Sequence, residues 1–348
     1  MRASRDEMTA SVRDRPEVTF FHRKPGNPGE FSIEFIFEDV RNRLAEEINA
    51  TVSAAPFVSE GLIRRLGIMV HARLHQGPIN HVTGDINFVA TVLSHRNTVL
   101  TIHDCGTFDR SRGWRHHVLR IFWLLLPLRS AAIVTTVSHA SKEEIMKYAR
   151  CPSDKIRVIP DAVSEKYKYR PKQFDKVCPR ILQVGTRPEK NIPRLAEALR
   201  GLPCKLAIVG ALSAETAAAL AANAIDFEHL ENLPLDALVA QYDRADLVSF
   251  VSTYEGFGMP IVEANAVGRP VICGNTTSMP EVAADAACLV DPYDVGAIRA
   301  GIERIISDDR YREDLVMRGR DNAKRFDPDD IAHQYLEIYR GIARARKV

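Results

Sequence analysis

Two carboxylates stand on either side of a glycine turn in the stretch Ser252–Pro270, STYEGFGMPIVEANAVGRP: Glu255 before the turn and Glu263 after it, with seven residues between them. A carboxylate accepts hydrogen bonds from hydroxyls, two at once if the hydroxyls are vicinal. Between the two acids lies Gly256-Phe-Gly258, which allows positive φ or close backbone approach. Pro260 then suits the first position of a helix, where its missing N–H costs nothing. A helix start aims free N–H groups and a positive dipole end at one spot, and such a spot binds phosphate. A ligand carrying both a diphosphate and sugar hydroxyls fits that combination of groups.

These residues need a scaffold, and the flanking pattern supplies one. The apolar run Asp246–Val251 reads as a buried strand leading into the turn, and Gly268-Arg-Pro270 ends the helix before a further strand at Val271–Cys273. The same strand–loop–helix order occurs earlier: Arg180–Val184 runs into Gly185-Thr-Arg187-Pro-Glu-Lys190-Asn191, with a helix from Pro193 to Arg200. Lys205–Gly210 and Asp226–Leu230 read as further strands, separated by the alanine-rich helix Ser213–Asn223. In the first half, Val18–His22, Ile79–Gly84, Thr98–Ile102, Ala131–Val137 and Ile156–Ile159 read as strands, and Glu30–Glu47 and Ser59–Leu74 as helices. Ser141 with Glu144 has the spacing of a capping box. Ser164–Pro179 is polar and charged and reads as a linker between two α/β halves.

The stretch EGFGMPIVEANAVGRPV, with its Glu-x7-Glu spacing, resembles the signature of the retaining GT-B glycosyltransferases that use nucleotide sugars. The resemblance implies two Rossmann-like, doubly wound domains facing across a cleft. It places an acceptor-side domain at 1–168, a donor domain at 169–328, and a final helix, 329–348, packing back on the first domain. It also implies a site. Glu263 would hold the ribose hydroxyls and Glu255 the hydroxyls of the transferred sugar. Phe257, Gly258 and Met259 would offer backbone N–H groups. Gly185, Arg187 and Lys190 resemble the family's diphosphate loop. Arg offers a planar fork and Lys a compact charge, which together can clamp two phosphates. His103, at the C-terminal end of the Thr98–Ile102 strand, would touch the sugar near its anomeric centre. The alternative for that position is a capping Asp104 beside a structural histidine.

On the acceptor side the candidates are Gly26, Gly29, His81, Thr83 and Asp85. The glycine loop Lys24–Gly29 is not G-x-G-x-x-G, and the family's Gly-Gly pair is split here by Asn-Pro, so a plain turn is the competing reading. At 159–163 the family's Ile-Pro-Asn-Gly-Val is replaced by Ile159-Pro-Asp-Ala-Val163, which loses a glycine. His71 and His75 stand at i, i+4 and could share a metal, but no Glu follows as in H-E-x-x-H, and a solvated pair is the preferred reading. No Asp-x-Asp stands out at a strand end. The expectation is therefore no cofactor and no divalent metal, with a UDP- or GDP-sugar as co-substrate and a glycan or lipid-linked acceptor. Same-face displacement with retained configuration is what the family implies, the cleft closing to exclude water.

Bulk composition agrees with an ordinary globular chain. The 348 residues are 45% hydrophobic and 26% charged; 47 Lys+Arg against 45 Asp+Glu leave a net charge of +2, which speaks against a nucleic-acid partner. The six cysteines form no C-x-x-C and read as free buried thiols in a reducing, cytoplasmic setting. Gly113–Leu128 (GWRHHVLRIFWLLLPL) reads as a core helix, the alternative being a helix in the membrane interface, which would give peripheral contact with the cytosolic face of the inner membrane. Expected function is hexosyl transfer in cell-surface polysaccharide synthesis. A nucleotide-sugar epimerase of the same fold and a non-catalytic sugar-nucleotide binder remain as rivals, while the missing G-x-G-x-x-G disfavours a dehydrogenase.

Overall fold

The computed structural model describes residues 15–24, 32–106 and 113–347. Gly26 and Gly29 lie outside them. The chain divides into two units. One comprises residues 1–137, 142–160 and 328–348; the other comprises 138–141 and 161–327. The division at Pro160–Asp161 precedes the polar run 164–179. That run packs on the second unit, because its cations find acids there: Lys166 on Asp236 at 2.7 Å, Arg170 on Asp243 at 2.7 Å, and Lys172 on the buried Asp246.

The first unit is built on a parallel sheet of β1 (Glu17–His22), β2 (Asn49–Ala54), β3 (Ile79–Val82), β4 (Thr98–Ile102), β5 (Ile133–Thr136) and β6 (Ile156–Val158), in the order β2-β1-β3-β4-β5-β6. Around it run α1 (Ser32–Arg43), α2 (Leu62–Leu74), α3 (Trp114–Leu119), α4 (Leu126–Ser130) and α5 (His139–Ala149). Central strands such as β4, TVLTI, are buried along their whole length, as parallel strands covered on both faces must be. Strand β2 was not expected. Its sequence NATVSA has no apolar run, and it lies at the sheet edge with only Ser53 buried, so no hydrophobic pattern announces it. The stretch expected as one helix over 113–128 is α3 and α4 joined by a π-helical turn at Arg120–Leu125. Leu124 and Leu128 face the core, but Val118, Ile121, Phe122 and Leu126 are exposed, so the core reading holds for one side only.

The C-terminal helix, Pro328–Lys347, belongs to this unit. Asp329 pairs with Arg43 of α1 at 2.6 Å, and Tyr335 and Tyr339 sit edge-on to Phe37 and Phe20. The Tyr339 hydroxyl lies 2.8 Å from His81 Nδ1, whose Nε2 meets Thr101 Oγ1 at 2.7 Å. His81 is fully buried, with both ring nitrogens engaged inside the unit. The acceptor-facing expectation for it is therefore corrected: it is a structural histidine tying the sheet to the last helix. Thr83 is buried too, its hydroxyl donating to Phe21 O at 3.2 Å.

The second sheet contains β7 (Arg180–Val184), β8 (Lys205–Val209), β9 (Phe227–Leu230), β10 (Leu247–Phe250), β11 (Val271–Gly274) and β12 (Cys288–Val290), ordered β12-β11-β10-β7-β8-β9 and parallel throughout. Its helices are α6 (Ile192–Leu199), α7 (Ala214–Ala222), α8 (Leu235–Arg244), α9 (Met259–Val267), α10 (Met279–Ala283), α11 (Val295–Ser307) and α12 (Asp309–Ala323). The chain order reverses between β7 and β10. Crevices at such reversals, at the carboxyl ends of the strands, are where open α/β sheets bind ligands. Ala162 does not adopt positive φ, so the turn at 160–163 does not need the glycine that this chain lacks. Ser138, rather than Ser141, takes the capping role, its hydroxyl accepting from Ser141 N–H at 3.0 Å. Four cysteines are buried as expected; Cys178 is exposed and Cys151 half-buried.

Burial makes the first unit acid-sensitive. His22 accepts from Arg41 at 2.9 Å, and its pKa is lowered to about 4, first by desolvation and then by the Arg41 charge. Its folded form resists a proton that the unfolded chain binds near 6.5. Its stabilising contribution is thus complete above that value and is lost as pH falls toward 4, a loss on the order of 3 kcal/mol. His22→Gln, which keeps an acceptor for Arg41, should flatten the stability slope between pH 6.5 and 4 in urea titrations; an unchanged slope would contradict this origin.

Candidate active site

At the carboxyl ends of β7 and β10 two loops meet. The first, Gly185–Asn191, follows β7; the second, residues 251–258, follows β10. They are stitched together by backbone and amide bonds. Thr253 N–H donates to Glu189 O at 2.8 Å, and the Asn191 side chain donates to Val251 O at 3.0 Å and Pro292 O at 2.6 Å. Asn191 itself is held at φ 62°, a left-handed conformation asparagine tolerates.

Within that frame the expected residues converge. Lys190 Nζ lies 2.6 Å from Glu255 Oε1, both side chains only about a tenth exposed, and stands 4.5 Å from the Phe250 ring centroid. Gly185 is required here: at φ 88° it is in the glycine region, and a Cβ would come within 2.8 Å of Lys190 Cε. Gly258, at φ 119°, opens α9, and a Cβ there would press Ile261 and Phe250 at 3.2 and 3.3 Å. Met259 N–H is one of the first-turn donors that a helix cannot satisfy internally. The second loop is braced from below: Ser278 Oγ donates to Glu255 O at 2.9 Å and Phe257 O at 2.7 Å, and Glu255 N–H donates to Thr277 Oγ1 at 3.1 Å. The Phe257 side chain faces inward, edge-on to Phe326.

Glu263 lies deeper than a surface carboxylate. It is buried in α9 and accepts a hydrogen bond from the Tyr242 hydroxyl of α8. Burial raises its pKa; the Tyr242 bond and the charge of Lys190 pull the other way. Lys190 therefore acts electrostatically on both acids. Tyr167 packs edge-on to Tyr242 at 5.4 Å and completes the wall. Tyr242 carries no sequence signal of a role; Ser278 lies in a stretch, Ser278-Met-Pro280-Glu281-Val, that resembles the family, and its bracing role follows only from where it folds.

Other candidates are placed elsewhere. Arg187 is mostly exposed, its Nε 3.2 Å from Glu189, and it is not part of the Lys190–Glu255 contact. In the first unit, His103 stands at the end of β4, its Nε2 2.9 Å from Thr83 O and its ring edge-on to Phe37. Asp104 closes a turn onto Gly106 N–H at 2.9 Å. Asp85 is exposed and pairs with Arg23 at 2.8 Å. The His71 and His75 rings stack at 4.0 Å, and among the described residues no group of three potential metal ligands gathers.

Comparisons with known proteins give the family. Residues 13–167 match the Glycosyltransferase Family 4 model, and residues 168–322 match Glycosyl transferases group 1. The chain is 32% identical over 273 residues to O-antigen chain mannosyltransferase B of Escherichia coli, a match spanning 71% of this chain and 72% of that protein. The chain belongs to the group 1 glycosyltransferases. This enzyme, a hexosyltransferase, is also 29% identical over 272 residues to the MMP alpha-(1->4)-mannosyltransferase of Mycolicibacterium hassiacum, covering 71% of the chain and 66% of the relative. It matches the serotype-specific mannosyltransferase WbdA of Escherichia coli at 25% identity over 285 residues, 72% of the chain but only 34% of that longer protein. Among solved structures, sucrose-phosphate synthase from Thermosynechococcus elongatus superposes with a TM-score of 0.78 at 16% identity, over 95% of this chain and 100% of the other. Anabaena Alr3699/HepE in complex with UDP and glucose gives 0.76 at 19%, over 93% and 99%. The glycosyltransferase thus has the GT-B fold.

The buried state of Glu263 has a measurable signature. Its pKa lies above the ordinary 4.5, so the ionised carboxylate opposes folding at higher pH and ceases to do so once protonated. Glu263→Gln, which keeps an oxygen for Tyr242, should raise the ligand-free melting temperature at neutral pH, with the difference shrinking as pH falls toward 4.5. A variant less stable than wild type at neutral pH, or a difference that grows on acidification, would contradict the assignment.

Proposed function

We propose that this glycosyltransferase moves a mannosyl group, with retained configuration and without a divalent metal, from a nucleoside-diphosphate donor to a glycan or lipid-linked acceptor in the synthesis of a cell-surface polysaccharide. The observation that carries the donor half of this reading is the convergence of Lys190, Glu255 and Glu263 at the sheet reversal beside the start of α9. The sugar and the product class rest on the relatives named above, which are mannosyltransferases, two of them named for an O-antigen chain or a serotype.

In this reading the donor's diphosphate takes Lys190 and the first-turn N–H of Met259. Glu263 accepts the ribose hydroxyls, and Glu255, released from Lys190, accepts hydroxyls of the transferred sugar. As the anomeric C–O bond to phosphate breaks, negative charge grows on the leaving diphosphate. Lys190 and the helix start are fixed dipoles and charge aimed at it, which is how preorganised electrostatics lowers such barriers. Arg187, on the exposed side of the same loop, can swing to the phosphates as a second cation. The acceptor oxygen bonds to the anomeric carbon on the face the diphosphate leaves, and its proton passes to a departing phosphate oxygen.

Assay of the purified protein with GDP-, UDP- and ADP-sugars tests the reading. Turnover with a mannose donor is expected, with the product keeping the donor's anomeric configuration by proton NMR and activity surviving EDTA. Lys190→Ala should lower kcat by roughly a hundredfold or more, as removal of a transition-state charge partner does. Wild-type kcat in that variant, an inverted product, or loss of all activity in EDTA would each overturn the corresponding part.

A further inference from the structure

Strand β2 leaves one edge of the first sheet open. It ends the strand order and, among the described residues, pairs with β1 alone. Asn49 N–H donates to Pro16 O at 2.9 Å, and Ala55 N–H donates to His22 O at 2.9 Å. Alternation along the strand then turns the N–H and C=O of Ala50, Val52 and Ala54 away from β1, toward the open edge. Natural sheets blunt such an edge with charge, proline or a bulge. Strand β2 has none of these: NATVSA carries no charge and no proline, and its register to β1 is one-to-one along the whole strand. Val52, at its centre, is 49% exposed. A row of backbone donors and acceptors in the plane of a sheet is matched in geometry by another strand.

A second feature lies beside that edge. Helix α2 rests on β2, where His71 Nε2 stands 3.3 Å from the hydroxyl of the buried Ser53. Phe57, just past the strand and half exposed, covers Gly67 of the helix, where a Cβ would come within 3.1 Å of its ring. At 100° per residue Ile63, Val70 and Leu74 fall within about 60° of Gly67, on the same flank. They are 86%, 60% and 76% exposed. A two-fold axis perpendicular to the sheet at Val52 uses both features. It sets β2 antiparallel to its image, Val52 opposite Val52 and Ala50 opposite Ala54, each pair exchanging both backbone bonds. At the roughly 4.8 Å spacing of paired strands, the two α2 helices lie antiparallel on one face of the joined sheets, at about the 8–10 Å of packed helices. The charges allow this. Strand β2 is neutral, Glu60 and Arg64 are paired within one copy at 3.4 Å, and Arg73 in the last turn of one helix comes beside Glu60 ahead of the other. A bilayer could cover Ile63 and Leu74 but has no partner for the edge backbone; a second copy satisfies both.

We propose that two copies of this chain pair edge to edge through β2, joining their first sheets across a two-fold axis at Val52, with Phe57, Ile63, Val70 and Leu74 of both copies packed over the join. The inference does not rest on the donor chemistry above.

Sedimentation velocity of the full chain over a micromolar dilution series tests it, and a reversible monomer–dimer equilibrium is expected. Val52→Lys sets two ammonium groups face to face on the axis and should weaken the dimer roughly tenfold or more. Val52→Pro removes only an outward N–H, which an edge strand tolerates, and should weaken it by about the same factor. Ile63→Ser/Leu74→Ser, at exposed positions that spare the core, should do likewise, by roughly tenfold. All three variants should keep the wild-type circular dichroism spectrum. Val52→Cys, combined with Cys151→Ser and Cys178→Ser, should form a disulfide-linked dimer with oxidised glutathione as the oxidant, because facing Cα atoms about 5.5 Å apart are within disulfide reach. The proposal is overturned if the wild type sediments as a monomer throughout, if Val52→Lys leaves a dimer intact, or if Val52→Cys stays monomeric under the oxidant. A monomer that pellets with phosphatidylglycerol vesicles overturns it too, since a lipid surface would then be the occupant.

Discussion

A lysine paired with Glu255 and close enough to feel Glu263 is the constraint on which the second domain's candidate site depends. A buried ammonium is costly unless paired, and Glu255 supplies the partner at 2.6 Å while Glu263 adds its charge from deeper in the domain. The pair stores a cation in a poorly solvated pocket, close to a helix start, where its field is stronger than on an open surface. A diphosphate arriving there meets a charge already in place. On the proposed reading it would exchange one anionic partner of Lys190 for another, and the displaced carboxylate would become available to hydroxyls. Every nearby feature serves that placement: the missing side chain at Gly185, the Phe250 ring beneath the ammonium, and the Asn191 and Ser278 braces that fix the two loops.

The fold makes the placement possible because β7 and β10 are adjacent in space and distant in sequence. With the order β12-β11-β10-β7-β8-β9, the loops that follow these two strands emerge side by side and diverge toward different helices. Lys190 and Glu255, 65 positions apart, are therefore neighbours. The first domain reverses likewise between β1 and β3, but there the residues at the centre do other work. His22 and His81 are buried, with lowered pKa values, and hold the sheet to α1 and the C-terminal helix.

Much of this was legible in the residues, for identifiable reasons. Long buried parallel strands have an apolar run and a turn at each end, so β4, β7, β8 and β10 stand out. The loop–helix unit at 255–267 shows itself through glycines and a proline in fixed order. What was hidden lacks such a pattern. Edge strand β2 is polar and pairs on one side only. His81 has the chemistry of a site residue and the environment of a core residue, which only packing distinguishes. Tyr242, which holds Glu263, is one tyrosine on an amphipathic helix like any other until α8 and α9 are side by side. The reading of 113–128 as a core helix failed on one face because a wide apolar run does not reveal which side the domain leaves uncovered.

The central claim is that Lys190 exchanges partners, leaving Glu255 for a diphosphate, with Glu263 on the ribose. A crystal structure of the enzyme with the nucleoside diphosphate its donor releases tests it most directly. The account predicts Lys190 Nζ within hydrogen-bond distance of a phosphate oxygen, the 2.6 Å contact to Glu255 broken, and the ribose hydroxyls on the Glu263 carboxylate. A nucleotide bound with the Lys190–Glu255 pair intact, or one lying away from the carboxyl ends of β7 and β10, would contradict it.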